Sequence, residues 1–169
     1  MALPTKLKLF NIFNEGHNYL GQGTELTLPK LSRKMEEYRG GGMNGPVDVD
    51  LGMEKLELEH SYGGFMRQIF EQFGLSKVDG VQLRFAGAYQ RDDTGEVDAV
   101  EVVVRGRHKE IDAGSAKAGD DTEFKVTSSL SYYKLTLNGA VLVEIDLVNL
   151  IENVQGEDRL AAQRKAIGL

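Results

Sequence analysis

VQLRFAGAYQRDDTGEVDAVEVVVRGRHKEID, Val81 to Asp112, reads as two long strands joined by a polar turn. Val81, Leu83 and Phe85 alternate with Gln82 and Arg84, the period-2 pattern of a half-buried strand. Asp92-Asp93-Thr94-Gly95 supplies turn residues, with Gly95 free to take a positive φ. Val97 to Val104 then carries a β-branched run suited to a pleated surface. A hairpin of this length predicts a mainly β fold.

The flanking sequence supports that class. Thr24–Leu28 and Leu31–Tyr38 look like strands interrupted at Pro29, which cannot donate to a ladder. RGGGMNGP, Arg39 to Pro46, is expected to be an exposed loop. Val49, Leu51 and Met53 alternate, and Leu56 and Leu58 continue on the opposite parity. That phase change predicts a bulge or break near Glu54-Lys55. Phe124, Val126, Leu130 and Tyr132 are expected on one face of a strand, with Lys125, Thr127, Ser129 and Ser131 on the other. Asn138-Gly139 between two apolar runs is a strong hairpin signal. Phe65, Met66, Ile69, Phe70 and Phe73 form one helical stripe that ends at Gly74, a natural left-handed cap. Glu157 and Asp158 ahead of Arg164 and Lys165 suit a short C-terminal helix. The expected architecture is a β-sandwich or open barrel with one packed amphipathic α-helix and a short C-terminal helix.

A chain of 169 residues fits one domain and can bury roughly 70% of its unfolded surface. There is no cysteine, which removes disulfides, thiolate metal sites and a cysteine nucleophile. The opening MALPTKLKLFNIF lacks the uninterrupted apolar core of a signal peptide. No apolar run approaches the ~18 residues of a spanning helix, so no membrane role is expected. The net charge of −6, from 26 acids against 20 bases, argues against gripping nucleic acid.

Candidate catalytic groups fail on context. Asp93-Thr94-Gly95 spells the aspartic-protease triplet, but that chemistry needs two aspartates sharing a proton in a sheltered site. Here the triplet sits at a polar hairpin tip. His108, Glu110 and Asp112 have the i, i+2, i+4 spacing of a metal triad on a strand, and an ordinary polar face explains that spacing as well. His17 and His60 stand alone in sequence. The glycine clusters lack the Lys-Ser/Thr of a phosphate loop. No nucleophile, base and oxyanion site come together, so neither an enzyme nor a cofactor is expected. What remains suits assembly: an apolar N-terminal segment and long strands with open edges.

The hairpin, together with LTLPKLSRKMEEYRGGGMNGPVDVDLGME (Leu26–Glu54), KAGDDTEFK (Lys117–Lys125), SYYKLTLNGAVLVEID (Ser131–Asp146) and VQGEDRLAAQRKAIGL (Val154–Leu169), resembles the major tail tube proteins of contractile-tailed bacteriophages. It is also similar to the tube proteins of R-type phage-tail-like bacteriocins. The resemblance runs in order through nearly the whole chain and is thinnest at Ser61–Lys77. It implies a single tail tube domain over 1–169. Residues 1–20 would form an N-terminal arm, 39–50 a long inter-subunit loop and 154–169 a C-terminal segment.

It further implies hexameric rings stacked into the inner tube of a contractile tail, with a channel for genome passage during ejection. Barrels of about eight strands fill their interior, and an aqueous channel needs on the order of 16 or more, so the bore must be shared between copies. The implied partners are sister copies, the tail sheath protein, and tape-measure and baseplate proteins. Genomic DNA would pass without specific binding. The implied location is the virion tail, assembled in the host bacterial cytoplasm. Arg39, Gly40, Gly41, Gly42, Met43, Asn44, Gly45 and Pro46 are the candidate contact between rings or subunits. Glu57, Glu59, Thr127, Ser129 and Ser131 are the candidate lumen-facing residues, on the reasoning that acids and hydroxyls repel or release phosphates. The wording of the Asp92–Gly95 turn and of EYRGGGMNGP favours a DNA-carrying phage. The competing reading is a β-sandwich binding or assembly module of a related tail, baseplate or secretion-tube structure.

Overall fold

Val81–Gln90 and Val97–Asp112 pair antiparallel without a slip, from Val81 opposite Gly106 to Gln90 opposite Val97. The computed structural model describes all residues, 1–169. In chain order the elements are β1 (Lys6–Asn14), β2 (His17–Asn18), β3 (Gly23–Thr27), β4 (Arg33–Tyr38), β5 (Val47–Met53), β6 (Leu56–Tyr62), α1 (Arg67–Glu71), β7 (Val81–Gln90), β8 (Val97–Asp112), β9 (Phe124–Leu137), β10 (Ala140–Asp146), β11 (Ile151–Val154), β12 (Glu157–Asp158) and α2 (Ala161–Ala166). The main sheet runs β12-β11-β10-β9-β8-β7-β1-β2, and β9 also pairs with β6, which carries β3. β9 therefore forks the sheet. Phe124–Leu130 pair with β6, and Tyr132–Leu137 pair with β10.

The two branches fold over one core. Leu56 and Leu58 of β6 face Val81, Leu83, Phe85, Val102, Val104, Tyr133 and Ile145. A second cluster holds Ile12, Tyr19, Tyr62, Met66, Ile69, Phe124 and Val126. No branch meets the far end of another, so the sheet stays open. The open form of the expected sandwich or barrel is the one found. Asn138 and Gly139 sit at φ +49° and +84°, the two positive values that a type I′ hairpin turn requires. The strand break after Met53 is where the phase change predicted it.

Four expectations change in detail. First, α1 spans five residues and buries only Met66 and Ile69 of the stripe, while Phe65 and Phe73 are mostly exposed. The helix proper runs only from Arg67 to Glu71, so Phe65 and Phe73 fall outside it. Phe65 and Phe70 instead stack at 5.1 Å and set their rings against the edge of Phe124. Second, Val47–Asp50, assigned to the long loop from sequence, are strand, so the loop is Arg39–Pro46. Third, Lys6–Asn14, nine residues of the N-terminal arm 1–20, form a strand paired with β7 of the same chain, the own-domain packing that the sequence left open.

Fourth, β9 changes phase midway. Arg105 opposes Tyr132 and Gly106 opposes Leu130, which leaves Ser131 as an extra residue. Gly106 permits this close approach, because a Cβ there would lie 2.0 Å from the Ser129 carbonyl oxygen. The bulge turns Ser131 inward, with its hydroxyl donating to the Arg105 carbonyl at 3.4 Å. Tyr132 moves to the outer face beneath the Arg105 guanidinium, and Tyr133 enters the core. Ser131 therefore does not share the polar face of Thr127 and Ser129.

Candidate functional site

The β4–β5 hairpin is a two-stranded sheet of its own that projects from the body. Its register sets Tyr38 opposite Val47 and Glu36 opposite Val49 on one face, with Leu51 continuing it. Glu37, Asp48, Met35 and Asp50 occupy the other face. The hairpin is thus amphipathic, yet its apolar face lies open, with Tyr38, Val47, Val49 and Leu51 exposed by 42% to 59%. An isolated two-stranded ribbon is only marginally stable in water.

At its base Met53 packs against the main core, and its polar side-chain tie to the body is Arg33. That guanidinium donates to Asp50 at 2.6 Å and bridges to the buried carboxylate of Glu152 at β11. The Gly52 amide and Arg33 hold the Asp50 carboxyl below the usual carboxylate range. At the tip, the Gly40 amide donates to Met43 Sδ at 3.0 Å and the Met43 amide to the Gly40 carbonyl at 3.2 Å. The loop Arg39–Pro46 is therefore a turned, exposed tip on an uncovered stalk.

The second surface is the polar face of β6 and β9. Glu57 opposes Ser129 and Glu59 opposes Thr127, so these four candidate residues form one contiguous patch. Lys109 and Lys55 each approach Glu57 at 3.1 Å and hold its carboxyl low, Lys109 most strongly. Glu59 makes no ion pair and borders a shallow groove with Glu25, Glu110, Asp112 and Lys125. The patch mixes acids, hydroxyls and lysines, which suits weak, reversible contact with a passing polyanion.

Asp93 lies at the β7–β8 turn, where its carboxylate accepts from Arg91 at 2.6 Å and from the Leu3 amide at 3.2 Å. Arg91 above all keeps it ionised well below the normal range, and no second aspartate shares its proton. The His108, Glu110 and Asp112 spacing is split by a bulge. His108 opposes Ser128 and Glu110 opposes Thr127, leaving Lys109 as the extra residue. His108 points inward while Glu110 and Asp112 are exposed.

Behind the polar patch lies a polar chain whose assembly is not visible in the sequence. His60 and His108 are buried, and both reach the single hydroxyl of Ser128, at 3.0 and 2.9 Å. The Gln72–Asn14 amide pair fixes the direction of donation. Gln72 Nε2 donates to Asn14 Oδ1 at 2.7 Å, so Gln72 Oε1 accepts from both Asn14 Nδ2 and His108 Nε2. His108 Nδ1 then accepts the Ser128 proton. His60 Nε2 donates to that same hydroxyl oxygen, and His60 Nδ1 accepts from Tyr62 at 2.7 Å. No buried side-chain polar atom is left without a partner. Burial pushes His60 down to about 3, with neighbouring His108 adding to the effect, and pushes His108 down to about 4, so both are neutral near pH 7. One signal for His60 was present: it shares the parity of Leu56, Leu58 and Tyr62.

Three comparisons with known proteins agree with this geometry. The sequence profile of the family described as phage tail tube protein FII matches residues 4–168. The tail tube protein of Escherichia phage P2 is 55% identical over 172 residues, spanning 100% of each chain. The major tail tube protein of Serratia phage KSP20 is 41% identical over 160 residues, covering 94% of this chain and 92% of the other. Among solved structures, the sheath-tube complex of an extracellular contractile injection system in its extended state matches with a TM-score of 0.57 and 13% identity, covering 75% of this chain and 87% of the other. The tube-terminating cap of the anti-feeding prophage matches with a TM-score of 0.58 and 15% identity, covering 75% and 87%. At such identities the structural matches establish a shared fold.

Proposed function

The chain belongs to the phage tail tube protein FII family and is a structural tube subunit rather than an enzyme, and from that premise we propose that its copies close into hexameric rings. The rings stack into the inner tube of a contractile tail, leaving a bore through which the genome passes at ejection. The observation that carries this reading is the open sheet with its uncovered amphipathic hairpin, a fold whose margins only another chain can complete. A head-to-tail contact that closes by rotation makes a ring, and a different surface stacks the rings. The loop Arg39–Pro46 is the stacking element. Glu57, Glu59, Thr127 and Ser129 face the lumen, and Ser131 is withdrawn from that set by its burial. Outside the tube lies the sheath, and the tape-measure and baseplate proteins meet it within and at its end. Assembly takes place in the host cytoplasm, and the product resides in the virion tail.

Negative-stain microscopy of the purified protein tests the reading. Hollow rods whose end views average to six-fold symmetry are expected. A monodisperse small particle at every concentration would sink it. Replacing Glu57 and Glu59 by lysine leaves tubes intact but slows DNA release from virions carrying the variant. Unchanged release would remove these residues from the lumen.

A further inference from the structure

Two asparagines followed by glycine stand exposed in turns of this chain, Asn44 before Gly45 in the hairpin loop and Asn138 before Gly139 between β9 and β10. Lacking a Cβ, glycine leaves its amide nitrogen unshielded and its backbone free to bend towards the preceding side chain. Every other asparagine is followed by a larger residue: Ile12, Glu15, Tyr19, Leu150 or Val154. The two pairs differ in how they are held. Asn138 Oδ1 accepts from the Ala99 amide at 2.8 Å, its Nδ2 donates to Asp98 at 3.0 Å, and its own amide donates to the Ala99 carbonyl at 2.9 Å. Asn44 has no such hold. The internal bonds of its loop stop at Met43, and neither the Asn44 side chain nor the Gly45 amide is hydrogen-bonded within the chain. We propose that Asn44 is a self-modifying site, converted to aspartate and isoaspartate by attack of the Gly45 amide nitrogen, while Asn138 is protected.

The atoms balance with water and hydroxide alone. Hydroxide takes the Gly45 amide proton, and the nitrogen closes on Asn44 Cγ to form a cyclic succinimide. The Asn44 side-chain nitrogen takes a proton from water and leaves as ammonia. Water then opens the ring at either carbonyl, giving aspartate or an isoaspartate whose backbone runs through the former side chain. At Asn138 the same closure requires the side chain to leave both Ala99 and Asp98 first. Breaking two ordinary hydrogen bonds slows the step by roughly tenfold or more. Its φ of +49° also belongs to a turn that the paired strands on either side hold in place. The product at position 44 adds a negative charge to a chain already at −6 and, as isoaspartate, lengthens the backbone of the loop. Resting on the reading above, in which this loop stacks the rings, the change falls on the unassembled chain, and a seated loop is sheltered from it.

Peptide mass spectrometry of the purified chain, aged in mildly alkaline buffer at a concentration too low for assembly, reads both sites at once. Asn44 is lost roughly tenfold or more faster than Asn138, and aspartate and isoaspartate both appear at position 44. Equal rates, or faster loss at Asn138, overturn the proposal. Gly45→Ala slows the loss at Asn44 several-fold, because the added methyl shields the attacking nitrogen. The fold tolerates that change, since nothing lies within 4 Å of where the Cβ would stand. An unchanged rate in this variant overturns the attack by Gly45. Sheltering is read separately: assembled tubes, aged alongside, lose Asn44 several-fold more slowly than the free chain. Equal loss in both takes the loop out of the contact between rings and leaves the modification site standing. The free-chain measurements need no assembly, so they decide the site even if the tube reading fails.

Discussion

Val47–Met53 and Leu56–Tyr62 are consecutive seven-residue strands, each alternating apolar with acidic residues, and their fates are opposite. VDVDLGM is exposed along five of its seven positions. LELEHSY buries Leu56, Leu58, His60 and Tyr62. The difference lies in what each pairs with. β6 joins β9 and β3 and turns one face onto the core, whereas β5 has only β4, and the pair extends away from the body. Alternation states that one face seeks burial. It does not state whether the cover is in the same chain. In β6 the cover is the chain's own core; in β5, on the reading above, it is a sister copy.

The sharpest way to break this comparison is to truncate one apolar residue on each strand. Leu58→Ala, at a fully packed site, should destabilise the subunit by about 2–5 kcal/mol in urea titration at a concentration too low for assembly. Val49→Ala should change the same titration by no more than ~0.5 kcal/mol, and instead delay tube formation. A large loss from Val49→Ala would mean that its face is covered within the free chain.

A second test uses His60, which lies on the buried face and has no counterpart on β5. The folded-state values, about 3 for His60 and about 4 for His108, lie below the ordinary value near 6.5. Between those limits the unfolded chain therefore binds protons that the folded chain refuses. Stability is fully present above pH ~6.5 and falls as the pH drops, by about 2 kcal/mol between pH 6 and pH 5 if both residues contribute. Urea midpoints at those two pH values measure it. His108→Gln should flatten the slope by about half, and an unchanged slope would show that the histidines do not govern it.

Arg33 holds the two regions together. Arg33→Ala removes the partner of the buried Glu152 carboxylate, but the guanidinium is itself a third exposed. The expected loss in the free subunit is about 1 kcal/mol, with a larger effect on assembly rate because the hairpin loses its fixed angle. Arg33→Lys should recover the charge but not the two-pronged reach to Asp50 and Glu152, and so should restore assembly only in part. Smallest of all is Glu57→Gln, within ~0.5 kcal/mol by thermal melt, because the carboxylate and both lysines around it are solvated.

Much of this was legible in the residues. The β7–β8 pairing, the Asn138-Gly139 turn, the break before Leu56 and the loop at Arg39–Pro46 follow from alternation and turn chemistry, which act over a few neighbours. The candidate polar patch was legible where parity held: Glu57, Glu59, Thr127 and Ser129 do share a face. Ser131 was misplaced because the bulge depends on the Gly106 contact with Ser129 and Leu130, more than twenty residues away in the chain. The Phe65–Phe73 stripe was overread for a related reason. Helical spacing specifies a face, but the helix runs only from Arg67 to Glu71 and leaves both ends of the stripe outside it.

The sequence by itself determined the mainly β class, the main hairpins, the projecting loop and, through its family resemblance, the kind of particle the chain builds. Only the tertiary structure decided that β9 forks the sheet, that two histidines share one serine hydroxyl, and that the apolar face of the β4–β5 hairpin stays open. The physical reason is range. Turn geometry and side-chain parity are fixed by steric limits within a few residues, whereas bulges, buried polar chains and uncovered faces depend on which distant strands come to lie side by side.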